Sequence, residues 1–171
     1  MYSVQINEDS VTDALARLEA HLGDMSLAMN EIGEQQLTGI EERFQQGVDP
    51  DGNPWAPKSA TTIAAYEARG QRVDRRPLFG PNASGVPLRQ SFFHQYGPDY
   101  VEVGSNAIQA AVMQFGAKKG AFGQTKKAGA TGKTSPIPWG DIPARPMVGL
   151  SERDEANILE TVAEWLDVDE A

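Results

Sequence analysis

The fold is decided by residues 25–57, which read MSLAMNEIGEQQLTGIEERFQQGVDPDGNPWAP. Apolar side chains recur at helical spacing through the first part of this stretch, at Met25, Met29, Ile32, Leu37, Ile40 and Phe44. Gly47 follows, and glycine commonly ends a helix because it adopts the left-handed conformation without strain. The pattern predicts one continuous helix over residues 25–46, roughly 33 Å long. It should be the longest element, with its apolar face packed on a sheet.

The second part of this stretch, residues 47–57, predicts a structured turn. It holds three prolines and two glycines, so neither a helix nor a central strand can continue through it. Asp49, Asp51 and Gly52 are typical of tight turns closed by side-chain hydrogen bonds to the backbone. Trp55 is expected to be buried and to anchor the turn in the core, since large aromatic side chains usually have that role in a rigid bend.

The acidic residues of this turn also imitate the start of a calcium-binding loop. In such a loop a glycine occupies the sixth position and a bidentate glutamate the twelfth. Counting from Asp49, the glycine is fourth and the twelfth residue is Ala60. We therefore predict a structural turn and no calcium site.

Further elements are predicted on the N-terminal side. Tyr2, Val4 and Ile6 alternate as in a short strand. A helical stripe with spacings of 4, 3 and 4 comes next, with a cap at Asp9 or Ser10 and a left-handed stop at Gly23. The stripe consists of Val11, Leu15, Leu18 and Leu22.

The middle and the C-terminal part predict a short helix, a hairpin and a last helix. Ser59 is a suitable cap for a helix over 61–69, which Gly70 would close. Residues 88–96 and 100–104 flank Gly97-Pro98 as the strands of a β-hairpin. Residues 107–115 are ambiguous between helix and strand, and 143–150 predict an edge strand. Ser151 and Asp154 form a capping box before a helix with an apolar face at Ile158, Val162, Trp165 and Leu166.

Helices therefore cluster at both ends and strands in the middle, which favours an α+β fold. We expect a small antiparallel β-sheet packed against the long N-terminal helix, with a C-terminal helix and a long extended basic loop. At 171 residues the chain is the size of one domain. Residues 1–171 are predicted to form that single domain.

Charge is unevenly distributed along the chain. The net charge is -9 over residues 1–51, +7 over 52–151 and -7 over 152–171. Exposed charges more than about 10 Å apart are largely screened at 0.1 M salt, so the regions can serve separate partners. One interpretation is ordinary solubilising charge on helices. The other is head-to-tail docking of like subunits.

The basic residues lie in two loops. Arg72, Arg75 and Arg76 belong to a loop over 71–87, and are candidates for facing DNA. Residues 116–145 form a second loop, far longer than the usual 4 to 6 residues. We predict an arm there that binds a neighbouring subunit, another protein or DNA through Lys118, Lys119, Lys126, Lys127, Lys133 and Arg145. The alternative is a flexible surface loop.

Few residues are suited to catalysis. The chain has no cysteine and two histidines, His21 and His94. A lone strand histidine such as His94 is more often structural or solvated than catalytic. Residues 129–134 read GATGKT, but a phosphate-binding loop needs a glycine where Lys127 stands. We predict no catalytic residue, no cofactor and no metal. The absence of a signal-peptide pattern and of a long apolar stretch predicts a cytoplasm-like location and no membrane contact.

The order of these features resembles the phage virion morphogenesis family, the tail-completion proteins of Mu-like tailed bacteriophages. The resemblance covers about residues 10–166. It rests on Arg43-Phe44, the turn from Asp49 to Pro57, Gln114-Phe115-Gly116, and Ile142-Pro143-Ala144-Arg145-Pro146 before a capped helix. Residues 107–113 depart from the family pattern, because they lack the Tyr-Ala pair and the histidine expected before Gln114.

The resemblance implies a non-enzymatic structural protein of the virion, acting at the head–tail junction (the neck) after assembly in the host cytoplasm. It implies a homo-oligomer, a six-fold ring, in contact with other neck, connector or tail proteins and in passing with packaged DNA. Tail terminator, head-side stopper and transient assembly factor stay open. A nucleic-acid-binding protein that uses the basic middle segment is the alternative, although the acidic ends would repel phosphate.

Overall fold

The computed structural model describes residues 9–80, 86–125 and 134–167. Within these ranges the fold is α+β, with five helices and one two-stranded antiparallel sheet. The elements in chain order are α1 (Asp9–Gly23), α2 (Ser26–Gln46), α3 (Ala60–Ala68), β1 (Phe92–Tyr96), β2 (Val101–Ser105), α4 (Ala110–Phe115) and α5 (Glu152–Asp167). The strand predicted around Tyr2 to Ile6 lies outside the described residues.

Helix α2 is the predicted continuous helix and the longest of those described, with 21 residues. It ends as expected at Gly47, whose φ of 75° places it in the left-handed region and whose N–H donates to the Arg43 carbonyl. Asp24 accepts hydrogen bonds from the N–H and the hydroxyl of Ser26 at the start of the helix. These bonds lower the pKa of the Asp24 carboxyl below its ordinary value.

The sheet is the predicted hairpin, and α2 packs across both of its strands. At the N-terminal half of α2 the ring of His94 lies against Gly33, where a β-carbon would come within 2.3 Å of it. His94 Nε2 lies 3.0 Å from Asn30 Oδ1. This histidine therefore packs the sheet onto the helix, which is the structural one of the two roles, structural or solvated, that the sequence leaves open. The start of the predicted first strand, Leu88–Gln90, is instead a turn of 3₁₀-helix.

The core lies at the C-terminal half of α2, around Phe44. Phe44 is 1% exposed and makes edge-to-face contacts with Trp55, Phe79 and Phe92, at ring-centroid distances of 5.3, 6.4 and 6.0 Å. Ile40, Leu88 and Met147 complete the buried cluster. One helix thus brings the turn, the hairpin and the segment before α5 to a common apolar centre.

Helix α5 is fixed to α2 by polar contacts. Ser151 and Asp154 form the predicted capping box, with hydrogen bonds from Ser151 N to Asp154 Oδ2 at 2.8 Å and from Asp154 N to Ser151 Oγ at 3.1 Å. The same carboxylate forms a buried ion pair with Arg43. Gln35 adds a hydrogen bond to Thr161 at 3.0 Å.

Two local predictions were wrong and one ambiguity is resolved. Residues 143–150 form no strand; their backbone is held by side chains from elsewhere in the chain. Gly23 is the last residue of α1, but its φ is not left-handed. Residues 110–115 are helical, which settles the ambiguous segment.

Candidate assembly surfaces

The basic segment 116–145 is folded back on itself, and we call its two described limbs, 116–125 and 134–145, the arm. At the base Ala117 and Ile142 exchange backbone hydrogen bonds of 2.9 and 2.7 Å. Further out, Phe122 N donates to Ile137 O and Thr125 N donates to Ser135 O, both at 2.8 Å. The limbs are therefore a paired ribbon along their described length.

The charges at the arm base are partly balanced. Asp141 accepts from the Lys119 N–H at 2.8 Å and forms an ion pair with Lys118 at 3.3 Å. The hydrogen bond from Lys119, with the neighbouring ammonium of Lys118, lowers the pKa of the Asp141 carboxyl. Lys118 and Lys119 are both exposed. The predicted contacts of Lys126, Lys127 and Lys133 fall outside the described residues.

Large apolar side chains on the arm are exposed to solvent. Phe122 is 57% exposed and Trp139 77% exposed, and Phe115, just before the arm, is 79% exposed. Side chains of this size are normally buried, and several of them in one region mark an interaction surface. Their exposure could not be inferred from the sequence, which has no periodic pattern in this loop.

A second exposed apolar surface runs along α1, and we call it the α1 stripe. Val11 and Leu15 are each 60% exposed, Leu18 is 44% exposed and Leu22 is 51% exposed. These are the four residues predicted to share one helical face. The sequence identified the face correctly but could not show that the residues described in the structure leave it exposed.

The described residues of the loop over 71–87, which we call the arginine loop, line an open cleft between α3 and the arm base. The loop carbonyls of Asp74, Arg76 and Phe79 all accept hydrogen bonds from the Lys58 ammonium. Partial burial lowers the pKa of Lys58 below its ordinary value. The lining includes six basic side chains, Lys58, Arg72, Arg75, Arg76, Arg89 and Arg145, against the carboxylates of Asp74 and Asp141.

The three arginines predicted to face DNA differ in their surroundings. Arg76 is paired with Asp74 at 2.6 Å, and its guanidinium lies 3.8 Å from the centre of the Phe79 ring. The hydrogen bond from Arg76 is the main cause that lowers the pKa of Asp74 to about 2. Arg72 and Arg75 are exposed on the same loop. Arg76 is exposed as well, and it differs from them in its ion pair with Asp74.

The remaining predicted site residues belong to the framework. Arg145, which we had assigned to the partner interface, is 7% exposed and donates to the carbonyls of Ala56 at 2.7 Å and Pro57 at 3.0 Å. Its burial lowers its pKa. We therefore assign Arg145 to the packing of the turn and exclude it from the exposed arm surface.

The turn has the predicted construction. Asp49 accepts a hydrogen bond from the Asn53 N–H at 2.8 Å, and Gly52 has a φ of 81°, which favours glycine. Asp51 is exposed. Trp55 is 5% exposed and its indole N–H donates to the Pro146 carbonyl at 2.8 Å. The turn is thus tied to the segment before α5.

Gln114 is a framework residue whose role the sequence did not reveal. Its Oε1 accepts from the N–H groups of Met147 at 2.8 Å and Val148 at 3.1 Å, and its Nε2 donates to the Val148 carbonyl at 2.8 Å. Arg43 likewise donates to the Met147 carbonyl at 3.1 Å. Both residues carry the family resemblance, and the structure gives a physical reason: they hold a segment that has no partner strand.

Among the described residues, no group of histidine and acidic side chains is arranged to hold a metal ion. None of the helices in the same ranges combines the length and the apolarity of a membrane-spanning segment. The distinguishing features of the protein surface are the exposed apolar side chains on α1 and the arm and the separation of acidic and basic segments along the chain.

Two phage-related proteins are similar to this chain. The "Putative capsid assembly protein G" of Escherichia phage Mu is 29% identical over 130 residues, which cover 74% of this chain and 69% of that protein. The "Mu-like prophage FluMu G protein 2" of Haemophilus influenzae is 25% identical over 166 residues, or 96% of both chains. No solved structure matches the chain significantly.

The model of the phage virion morphogenesis family matches residues 6–167. This range includes Arg43-Phe44, the Trp55 turn, residues 114–116 and residues 142–146 before the capped α5, the features that carry the sequence resemblance. The match covers nearly all of the chain, and both relatives come from Mu or a Mu-like prophage. The chain therefore belongs to the phage virion morphogenesis family, whose members have a structural or assembly role in building phage particles.

Proposed function

We propose that this protein is a structural subunit of the phage neck, which assembles as a ring and completes the tail or joins it to the head. The observation that supports this proposal most directly is the exposure of large apolar side chains on two separate surfaces, the α1 stripe and the arm. A family member whose role is assembly has a clear use for both of them. An isolated soluble protein would have no reason to keep them in water.

The arm supports a contact beyond the subunit's own core. Thirty residues at roughly 3.3 Å each give a contour near 100 Å, so a ribbon that goes out and returns can reach about 50 Å. The radius of gyration of a compact chain of this length is about 15 Å. Such an arm is long enough to reach an adjacent subunit or a protein above or below the ring.

The proposal is tested by locating the protein in intact particles and by removing it. We expect electron cryo-microscopy to find a ring of this protein between head and tail. A phage lacking the gene should accumulate DNA-filled heads and separate tails. Joined, infectious particles from the deletion phage would contradict the proposal, as would density for the protein at the distal tail or in the capsid shell alone.

A second candidate function, contact with packaged DNA, is favoured by the exposed Arg72 and Arg75 in the basic cleft. Contacts of cations with phosphates weaken steeply as salt increases, because binding releases counterions. We expect any DNA binding by the isolated protein to be weak and to depend on these two arginines. Tight, salt-sensitive binding that the R72A/R75A variant loses would favour nucleic-acid binding as a principal role.

A further inference from the structure

Helix α1 needs a partner that the described part of its own chain does not supply. A helix of this length, 15 residues, is only marginally stable in water, and most helical stability in proteins comes from packing of the apolar face. In α1 that face is the exposed α1 stripe. Something outside the subunit should therefore cover Val11, Leu15, Leu18 and Leu22.

The surroundings of the stripe limit what this partner is. Residues 9–24 carry a net charge of -3, and Asp13, Glu19 and Asp24 are exposed. A suitable partner surface is apolar, to bury the leucines, and positively charged, to match the acidic rim. A nucleic acid is excluded by the acidic charge.

The arm has both of these properties. Phe122 and Trp139 are more than half exposed on its opposite limbs. Without the buried Arg145, residues 116–144 carry a net charge of +4 in the sequence, and Lys118 and Lys119 are exposed at the arm base. Lys119 is exposed beside the Lys118–Asp141 ion pair, and only its backbone N–H bonds to Asp141. Each copy of the chain thus presents an acidic apolar surface and a basic apolar surface.

We propose that the α1 stripe of one copy binds the arm of the next copy, with the leucines against Phe122 and Trp139 and the acidic rim against the arm lysines. This inference rests on the proposed function, since it names the contact that would build the ring. Two different surfaces that bind each other form a heterologous interface, which closes into a ring when the rotation between copies allows it.

The alternative occupant is a second α1. The 4-3-4 spacing of the stripe also suits pairing of two identical helices. That arrangement would bring two acidic helices together and would leave the aromatic side chains of the arm uncovered. The complementary charges therefore favour the arm.

Crosslinking within assembled particles separates these arrangements. The chain has no cysteine, so introduced cysteines report unambiguously. Phage carrying the double variant L15C/W139C is assembled, oxidised and separated under denaturing, non-reducing conditions. A heterologous contact links each copy to two neighbours, and we expect a ladder of products that extends to the full ring. L15C alone and W139C alone should give monomers.

The matched control is A16C/W139C, because Ala16 is exposed but lies off the stripe; it should give several-fold less product. A dimer from L15C alone would overturn the proposal in favour of α1 pairing. Absence of a ladder in particles that contain the protein between head and tail would also overturn it, and would leave the neck function standing. Absence of the protein from that junction would instead overturn the proposed function itself.

Charge reversal provides a second test that needs no crosslink. K118E/K119E should lower the yield of joined particles by at least about tenfold, since like charges would then face each other. Adding D13K/E19K on the same chain should restore most of that yield. An unchanged yield for K118E/K119E, or the lack of any rescue, would contradict the assigned contact.

Discussion

Among single residues, Phe44 and Trp55 join the helix and the turn that make up residues 25–57. The Phe44 ring meets Trp55 edge to face at 5.3 Å, and the Trp55 indole N–H donates to Pro146 across 91 residues of sequence. One side chain thus carries both apolar contact and a directional hydrogen bond. This combination explains why a bend rich in proline and glycine has a fixed position in the core.

Truncation of this side chain tests the anchor. We expect W55A to lower the free energy of unfolding by about 3–5 kcal/mol, because it removes a buried aromatic side chain and leaves a cavity. W55F keeps most of the apolar contact and loses the hydrogen bond. We expect it to lower the free energy of unfolding by about 1 kcal/mol for the lost hydrogen bond, and by a further amount for the smaller ring. Urea denaturation measures both. Equal stability of W55A and the wild type would place the indole in solvent.

Asp74 gives the molecule a pH-dependent contact. The Arg76 guanidinium lowers the pKa of the Asp74 carboxyl to about 2, whereas an unfolded aspartate has a pKa of about 3.9. A lowered native pKa adds stability that is complete above the unfolded pKa and is lost as pH falls through the native one. The stability advantage of wild type over D74N should therefore be constant above about pH 4.5 and shrink between pH 4 and 2.

Parallel denaturation series of the two proteins at several pH values measure this difference. The side chains of Asp74 and Arg76 are partly exposed, so added salt should reduce the advantage. An advantage of wild type that grows as pH falls toward 2 would show that the carboxyl is not held in its charged form.

Residue roles were predictable where the partner is close in sequence. Ser151 and Asp154 form the capping box three residues apart, and Ser59 accepts from Thr62 N as a helix cap. Arg43 could not be assigned from the sequence, because its partner Asp154 lies 111 residues away. The buried role of Arg43 can be recognised only in the folded structure, where the Asp154 carboxylate lies opposite it.

At the scale of the element, the segment over 143–150 shows how a chain can be fixed without regular structure. Its apolar residues and prolines are typical of an edge strand, which is why we predicted one. The structure satisfies its backbone through the side chains of Gln114, Arg43 and Trp55. The sequence pattern indicates that residues 143–150 are extended, but it does not indicate which groups form hydrogen bonds with their backbone.

Gln114 should therefore be the main support of this segment. We expect Q114M to lower the free energy of unfolding by about 1–3 kcal/mol, since two N–H groups and one carbonyl lose their partner. Amide hydrogen exchange at Met147 and Val148 should accelerate more than exchange in β1 or β2. Q109M is a control on an exposed residue just before α4. Unchanged exchange at both amides in Q114M would mean that other groups hold the segment.

The larger helices were the most predictable elements. The periodicity of α2 predicted its bounds to within one residue, and Gly47 ends it in the predicted conformation. The same reasoning gave α1 and its apolar face. Helical periodicity did not predict that this face is exposed. Apolar residues spaced by three and four positions occur both in helices that pack in a core and in helices that pack against another protein.

At the scale of the whole molecule, the core and the exposed apolar surfaces are separate. The buried cluster consists of Ile40, Phe44, Trp55, Leu88 and Met147, none of which belongs to α1 or the arm. Under the proposed contact between copies, folding of the core and covering of the outer surfaces are distinct steps. The sequence predicted this division only indirectly, through the charge blocks and the unusual length of the loop.

Removal of the arm should consequently separate stability from assembly. Ala117 and Ile142 are already paired at its base, so residues 119–140 can be replaced by Asn-Gly, a two-residue connection that suits a tight hairpin. We expect this variant to fold with a melting temperature within a few degrees of wild type, because the buried cluster is intact. Heads and tails should nevertheless fail to join in cells that produce it.

The point variant K118A leaves the ribbon in place and is the matched control; it should assemble nearly normally, since a single exposed ion pair contributes at most about 1 kcal/mol. The two measurements, thermal unfolding of the purified chain and the yield of infectious particles, have to be read together. Loss of both would make the arm a part of the fold. Infectious particles at normal yield from the shortened chain would leave the arm without an assembly role, and the exposed Phe122 and Trp139 would then need another explanation.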